Sequence, residues 1–312
     1  MPAFALPPRL VETALRPVYR TILNDRMPVA WQRRLLDLAS GVQPVVRDVH
    51  RDTVRLGGRP AERFTATPPA GDGIVAAGPA APAEPTAAVL YLHGGGFVAG
   101  SPRTHRPLTA RLARGTGAVV YSLDYRLAPE YPYPAAVDDA EAAFADLARQ
   151  HGGDSASIAV AGDSAGGGIA AALTRRLLDS GRGPVALVLI APAVDPGADA
   201  ATMKDDAVLR RGWVRSACDA YRGAAPADDP GFAPLHADTH GFPPTYVQVG
   251  SREMLHDHTV RYVRLLRKNG IDVTFDVSPV LWHVAQLQSG LVRQAAESVD
   301  AIAAFLHERL TA

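Results

Sequence analysis

Cysteine is nearly absent from this 312-residue chain, with Cys218 standing alone. One thiol excludes an intramolecular disulfide and a cysteine-rich metal site, and it fits a reducing, cytoplasmic setting. Lysine is almost as scarce. Lys204 and Lys268 are the only two, so arginine carries nearly all of the 32 positive charges. The 32 acidic residues cancel them. With no net charge, a broad basic face for nucleic acid or for an anionic membrane is excluded. Aromatic residues make up only 6%, and no apolar run approaches the roughly 18 residues of a spanning helix. The opening stretch MPAFALPPRLVETALRPVYR has no basic region ahead of an apolar core, so no secretory signal is expected. Metal signatures such as H-E-x-x-H are missing, and in REMLHDH the two histidines fall on different helix faces. No G-x-x-x-x-G-K-[ST] phosphate loop occurs. No metal is therefore called for.

Hydrophobic residues, by contrast, reach 47%, enough for a large core in one domain with an attachment. Residues 1–44 hold two short helix-like segments broken by Pro7, Pro8, Pro17 and Pro28. Residues 45–67 alternate, and Gly57-Gly58 reads as a hairpin turn. The Pro/Ala/Gly-rich stretch from Pro68 to Pro85 reads as a long loop. Six short apolar runs follow, at 86–94, 117–125, 157–162, 184–192, 244–250 and 271–277. Their texture fits strands buried on both faces of a mostly parallel sheet. Helix-like segments at 106–114, 135–150, 165–180, 258–269 and 291–309 lie between or after them, with Gly115, Gly181 and Gly270 at expected C-caps. Such alternation predicts a doubly wound α/β sheet. Residues 195–242 break the rhythm and read as an insertion over the carboxyl ends of the strands, where ligands bind in open α/β sheets. The expected organisation is an N-terminal cap segment (1–44), a first core part (45–194), a cap insertion (195–242) and a second core part (243–312).

Gly162-Asp163-Ser164-Ala165-Gly166 follows the strand-like SIAVA and opens a helical stretch. Strand, G-x-S-x-G and helix in that order is the context of a nucleophile elbow. The turn forces the serine into strained backbone angles, and glycines on either side keep the neighbouring strand and helix from clashing. It presents Ser164 Oγ at a helix N-terminus, where the dipole favours developing negative charge. Asp163 inside the elbow is read as making local hydrogen bonds. Ahead of it, His93-Gly94-Gly95-Gly96-Phe97 follows the strand-like AAVLYL. Consecutive glycines let backbone N–H groups face a cavity, where with the amide of Ala165 they supply oxyanion donors.

HGGGF, DYRLAPE (124–130), YPAA with Asp138-Asp139, and GDSAG, in this order, resemble the hormone-sensitive-lipase family of α/β-hydrolase esterases. The resemblance runs from about residue 86 to the C-terminus. It implies an eight-stranded α/β-hydrolase core with a helical cap, no cofactor, and cleavage of carboxylic esters by a serine triad. By motif position it makes Gly95 and Gly96 oxyanion donors with Ala165, and makes Arg126 and Glu130 structural supports of the loop beneath the site. It also implies a possible homodimer through the last strand and helix.

A base must lie late in the chain if the order is Ser, acid, His. His283, in SPVLWHVAQ after the last strand-like run, is the candidate among ten histidines; His256, His258 and His307 are placed otherwise. Where the family usually has His-Gly-Phe, this chain has Trp-His-Val, which resembles a subgroup containing lactone hydrolases and short-chain esterases. The acid is Glu253 or Asp257. The family pattern D-P-L-x-D puts its catalytic acid where Glu253 stands, and a residue three past the strand end lies on a loop while Asp257 already enters a helix. Glu253 is the expected member. Phe97, Trp213, Tyr221 and Trp282 are candidate pocket walls, each also explicable as core packing.

The expected reaction is hydrolysis of short- to medium-chain carboxylic esters, or of an ε-lactone, through an acyl-enzyme. A long-chain lipase and an acyltransferase or amidase on the same triad are alternatives. A non-catalytic small-molecule binding protein is disfavoured, because the gibberellin receptors that resemble this family lack the triad histidine.

Overall fold

A computed structural model of the chain describes residues 5–41, 46–67, 87–152, 155–204 and 206–312. The loop expected from Pro68 to Pro85 lies outside the described residues. Eight strands form one sheet: β1 (Val49–Leu56), β2 (Arg59–Ala66), β3 (Ala88–Leu92), β4 (Val119–Leu123), β5 (Ile158–Asp163), β6 (Leu187–Ile190), β7 (Thr245–Gly250) and β8 (Val273–Ser278). Their spatial order is β1-β2-β4-β3-β5-β6-β7-β8. The β1–β2 and β2–β4 pairs are antiparallel and every later pair is parallel. Gly57 and Gly58 connect β1 to β2 with φ of +56° and +81°, the paired left-handed conformation a two-residue hairpin demands.

Every residue of β3 to β7 is buried, which is why these strands read as unbroken apolar runs instead of alternating ones. Successive side chains still feed opposite faces. Leu90 and Leu92 join one core layer and Val89 and Tyr91 the other. Helices α3 (Pro102–Thr116) and α8 (Arg293–Leu310) cover the second layer with Leu108, Leu112, Ile302 and Leu306. The first layer is covered by α4 (Ala135–Gln150), α5 (Ser164–Asp179) and α7 (His256–Lys268), through Phe144, Leu147, Ile169, Leu173, Tyr262 and Leu266.

Three local expectations are corrected. Pro17 does not break the first helix, since α1 runs from Pro8 to Ile22 through it. Pro8 occupies the first turn, where no N–H is needed, and the spacing of Val11, Leu15, Tyr19 and Ile22 presents one stripe to the core. Burial of that stripe outweighs the one lost helical hydrogen bond. A second helix, α2 (Val29–Ser40), follows. The helix expected at 106–114 begins at Pro102, because Ser101 and Thr104 form a reciprocal capping box. Its left-handed C-cap is Gly117, at φ +71°, not Gly115. A Cβ on Gly115 would lie 2.7 Å from Ala303 Cβ, so that glycine serves the close packing of α3 on α8. Gly181 and Gly270, at φ +71° and +78°, do follow the ends of α5 and α7.

Candidate functional site

Three chain segments ending at the carboxyl edge of the sheet converge on one group of side chains. At the end of β5, Ser164 has φ +49°, a left-handed angle that costs a non-glycine residue about 1–3 kcal/mol. The two flanking glycines have steric reasons of their own. A Cβ on Gly162 would stand 2.4 Å from Gly166 O, and one on Gly166 would stand 2.0 Å from Leu92 O. Any side chain at either place would drive helix, strand and loop apart.

The loop after β8 brings His283 Nε2 to 2.9 Å from Ser164 Oγ. The loop after β7 brings Glu253 Oε2 to 2.7 Å from His283 Nδ1. In that geometry the hydroxyl donates to Nε2 and Nδ1–H donates to the carboxylate. The other carboxylate oxygen accepts from the Gly250 N–H. Glu253 is 1% exposed and His283 7%. Burial raises the Glu253 carboxyl above its ordinary value, against the opposing pull of His283. Burial also pushes the His283 imidazole down, but the hydrogen bond and charge of Glu253 carry it above its ordinary value. Asp257, the alternative acid, sits in the first turn of α7, where it pairs with Lys204 at 2.9 Å and His256 at 2.7 Å on the exposed side.

Gly95 and Gly96 have φ of +127° and +62° and share the loop after β3 with Phe97, at φ +67°. A Cβ on Gly95 would lie 2.1 Å from Ala99 O, so the loop closes only around bare backbone. Ser164 and Ala165 are the first two residues of α5, and N–H groups of a first helical turn have no intrahelical acceptor. Asp163 is not a local hydrogen-bonding residue, which corrects the sequence expectation. Its buried carboxylate accepts from Tyr91 Oη at 2.6 Å and from the Gly94 N–H at 3.0 Å, and lies 3.2 Å from His105 Nε2. Burial opposes its ionisation, but His105 and the Tyr91 hydroxyl hold its pKa below the usual carboxylate value. The elbow and the glycine loop are thereby tied from beneath. His93 stacks on Tyr125 at 4.3 Å, and burial with the neighbouring His105 pushes its pKa down to about 3, so it stays neutral.

Arg126 makes a forked pair with Asp139, while Glu130 pairs with Arg33 of α2. Arg33 also donates to the carbonyls of Val98 and Ala128. Both loop residues thus hold structure in place, one of them through the N-terminal helices.

Ser164 and His283 open into a predominantly apolar cavity of about 230 Å³, walled by α1, α2, the 193–218 region and the loop after β8. Phe97, Trp213 and Trp282 line it. Tyr221 does not. It lies one helical turn beyond Ala217 on α6 (Arg211–Arg222) and stacks in parallel on Phe97 at 4.0 Å, supporting the wall from behind. Sequence reasoning missed the walls from α1, such as Leu15, Val18 and Tyr19; their only signal was helical spacing, which any core helix shares. It also missed Asp206, whose buried carboxylate accepts from the N–H groups of Val208, Leu209 and Met254 and so binds the 195–242 segment to the loop carrying Glu253. Among the described residues, no group of three or more His, Cys, Asp or Glu is placed to hold a metal, and no helix is long and apolar enough to cross a membrane.

The α/β-hydrolase-fold family model matches residues 89–287. Over 223 residues the chain is 38% identical to an acetyl-hydrolase of Streptomyces hygroscopicus, covering 70% of this chain and 74% of that one. It is 39% identical over 226 residues to the esterase LipI of Mycobacterium tuberculosis, covering 68% and 69%. The crystal structure of a hormone-sensitive lipase from a metagenome library superposes with a TM-score of 0.88 at 30% identity, over 98% of this chain and 99% of that one. A bacterial esterase of the hormone-sensitive lipase family gives 0.84 at 32% identity, over 98% and 100%. With the serine elbow, glycine loop and eight-stranded sheet in place, the chain belongs to the hormone-sensitive-lipase family of α/β hydrolases and is a carboxylic ester hydrolase.

Proposed function

We propose that this enzyme cleaves short- to medium-chain carboxylic esters through a Ser164–His283–Glu253 triad and an acyl-enzyme. The observation that carries the reading is the unbroken relay from Ser164 Oγ to His283 Nε2 at 2.9 Å and from His283 Nδ1 to Glu253 Oε2 at 2.7 Å, at the floor of an apolar cavity. His283 takes the Ser164 proton as Oγ attacks the ester carbonyl. The amides of Gly95, Gly96 and Ala165 hold the resulting oxyanion, and His283 then protonates the leaving alcohol. Water, deprotonated by the same imidazole, releases the acid from Ser164. Glu253 fixes the tautomer and balances the imidazolium charge. No step calls for a metal or cofactor.

In this reading α1, α2 and the 195–242 segment form the cap, and the apolar cavity takes the hydrocarbon part of a small ester. The relatives' names, an acetyl-hydrolase and an ethyl acetate hydrolase of Pseudomonas putida among them, support small acyl groups. The lone cysteine supports a cytoplasmic setting. A homodimer through the edge strand β8 and α8 belongs to the same proposal, and sedimentation at micromolar concentration checks it.

A p-nitrophenyl ester series from C2 to C16 tests the substrate class. Maximal kcat/KM at C4–C8 is the expected result, and a maximum beyond C12 would replace the reading with a long-chain lipase. Labelling by a fluorophosphonate, with the modified residue mapped, should place the adduct on Ser164.

A further inference from the structure

One wall of the cavity contains a buried polar contact that the hydrolytic chemistry does not use. Gln32 is the one fully buried residue of α2, at 2% exposure. A buried amide must satisfy both its donors and its acceptor within the protein. Its Nε2 donates to the carbonyls of Asn24 and Met27, at 3.1 and 2.7 Å, in the turn between α1 and α2. Its Oε1 accepts the indole N–H of Trp213, on α6, at 2.7 Å. Trp213 is 3% exposed, so that N–H would be left orphaned without Gln32.

The far edge of the same indole rests on the oxyanion loop. A Cβ built on Gly96 would come within 2.6 Å of Trp213 Cη2. The ring is therefore fixed at both ends, by Gln32 at its nitrogen and by bare glycine backbone at its six-membered ring. His283 must protonate the leaving oxygen, which places the alcohol part of the ester on the imidazole side, near Trp282 and Leu287. With the carbonyl oxygen at the glycine-loop amides, an acyl chain directed away from the imidazole would meet Trp213, with Val214 and Ala217 further along α6.

We propose that Trp213 is the specificity-determining residue that limits acyl-chain length, and that Gln32 is a positioning residue that holds the indole in its limiting place. This rests on the ester-hydrolase reading with Ser164 as nucleophile. The N-terminal helices thereby set chain-length preference through one buried hydrogen bond, without touching the acyl group at that point.

The test measures kcat/KM for p-nitrophenyl esters from C2 to C12 with Trp213→Ala, Trp213→Phe, Gln32→Leu and the Trp213→Phe/Gln32→Leu double variant. One or two methylenes admitted into an apolar pocket change selectivity by about tenfold or more. Trp213→Ala is expected to raise the C8-to-C4 ratio by about tenfold. Gln32→Leu should raise it in the same direction by about threefold, mainly through KM. In the Trp213→Phe background, which has no N–H to hold, Gln32→Leu should leave the ratio unchanged. If Trp213→Ala does not fold, the other three variants carry the test. An unchanged ratio in Gln32→Leu would overturn the proposal, as would an equal Gln32→Leu effect with and without the indole. Failure of the wild-type enzyme to label at Ser164 or to turn over any ester would instead remove the hydrolase reading beneath it.

Discussion

The reacting end of this site and its walls are built by different means. Ser164, Glu253 and His283 stand on the loops that follow β5, β7 and β8, and the first two are positioned by short-range backbone geometry: a left-handed serine between two space-excluded glycines, and a carboxylate held by the Gly250 amide. The walls come from α1, α2 and α6, whose positions depend on side chains distant in sequence, such as Gln32 against Trp213 and Arg33 against Glu130. On the proposed function, chemistry is fixed by the sheet, while admission of substrate is fixed by helices docked onto it. A change in the first region should act on rate for every substrate. In the second it should act on which substrate is preferred.

Substitutions at the triad give the largest expected separation. Ser164→Ala should lower kcat by roughly 10⁵–10⁶ on all esters alike, with the fold retained by circular dichroism. Any residual preference surviving at normal rate would break the distinction. Glu253→Gln should cost about 10⁴ in kcat, because the imidazole loses the partner that sets its tautomer; Asp257→Asn should stay within about twofold. The reverse outcome would move the acid to Asp257.

Gly166→Ala tests the claim of backbone geometry directly. Its Cβ would meet Leu92 O, so a loss of about 4 kcal/mol or more is expected from a backbone clash in the core, read by thermal or urea unfolding. Destabilisation under about 1 kcal/mol would show that the elbow can yield.

The pH profile offers a subtler measure. His283 can accept the Ser164 proton only when neutral, and Glu253 raises its pKa. Activity should therefore be lost as pH falls through a midpoint above the ordinary imidazole value of about 6.5. In Glu253→Gln, residual activity should persist to lower pH. A wild-type midpoint below 6 would contradict the pairing. The smallest effect is expected at the periphery. Glu130→Gln removes a half-exposed ion pair with Arg33 and should cost about 0–1 kcal/mol, shrinking further at high salt.

Much of this architecture could be read before any coordinates. The six apolar runs became β3 to β8, but only β3 to β7 are buried on both faces with no polar side to interrupt them; β8, expected to match them, is the edge strand and is partly exposed throughout. That Ser164, His283 and Glu253 would meet was also expected, from an elbow in the local sequence and from the motif order of the family the chain resembles, and the fold brings them within hydrogen-bond reach. Boundaries were less so. Helix α3 starts at Pro102, four residues before the expected start at 106, because of a capping box between Ser101 and Thr104. Continuation of α1 through Pro17 reflects burial against the core, which no propensity expresses. Asp163 looked local and turned out to tie the elbow to the glycine loop through Tyr91, Gly94 and His105.

The amino-acid order by itself determined the parallel sheet and the strained serine elbow, since strand burial and backbone strain are imposed within a few residues, and the order of motifs pointed to His283 and Glu253 as its partners. Only the tertiary structure decided that Tyr221 backs Phe97 while Trp213 faces the cavity, and that Gln32 and Asp206 reach across to α6 and the acid loop. Those contacts join residues tens to hundreds of positions apart, where nothing in the intervening sequence records that the chain will bring them within a hydrogen bond's length.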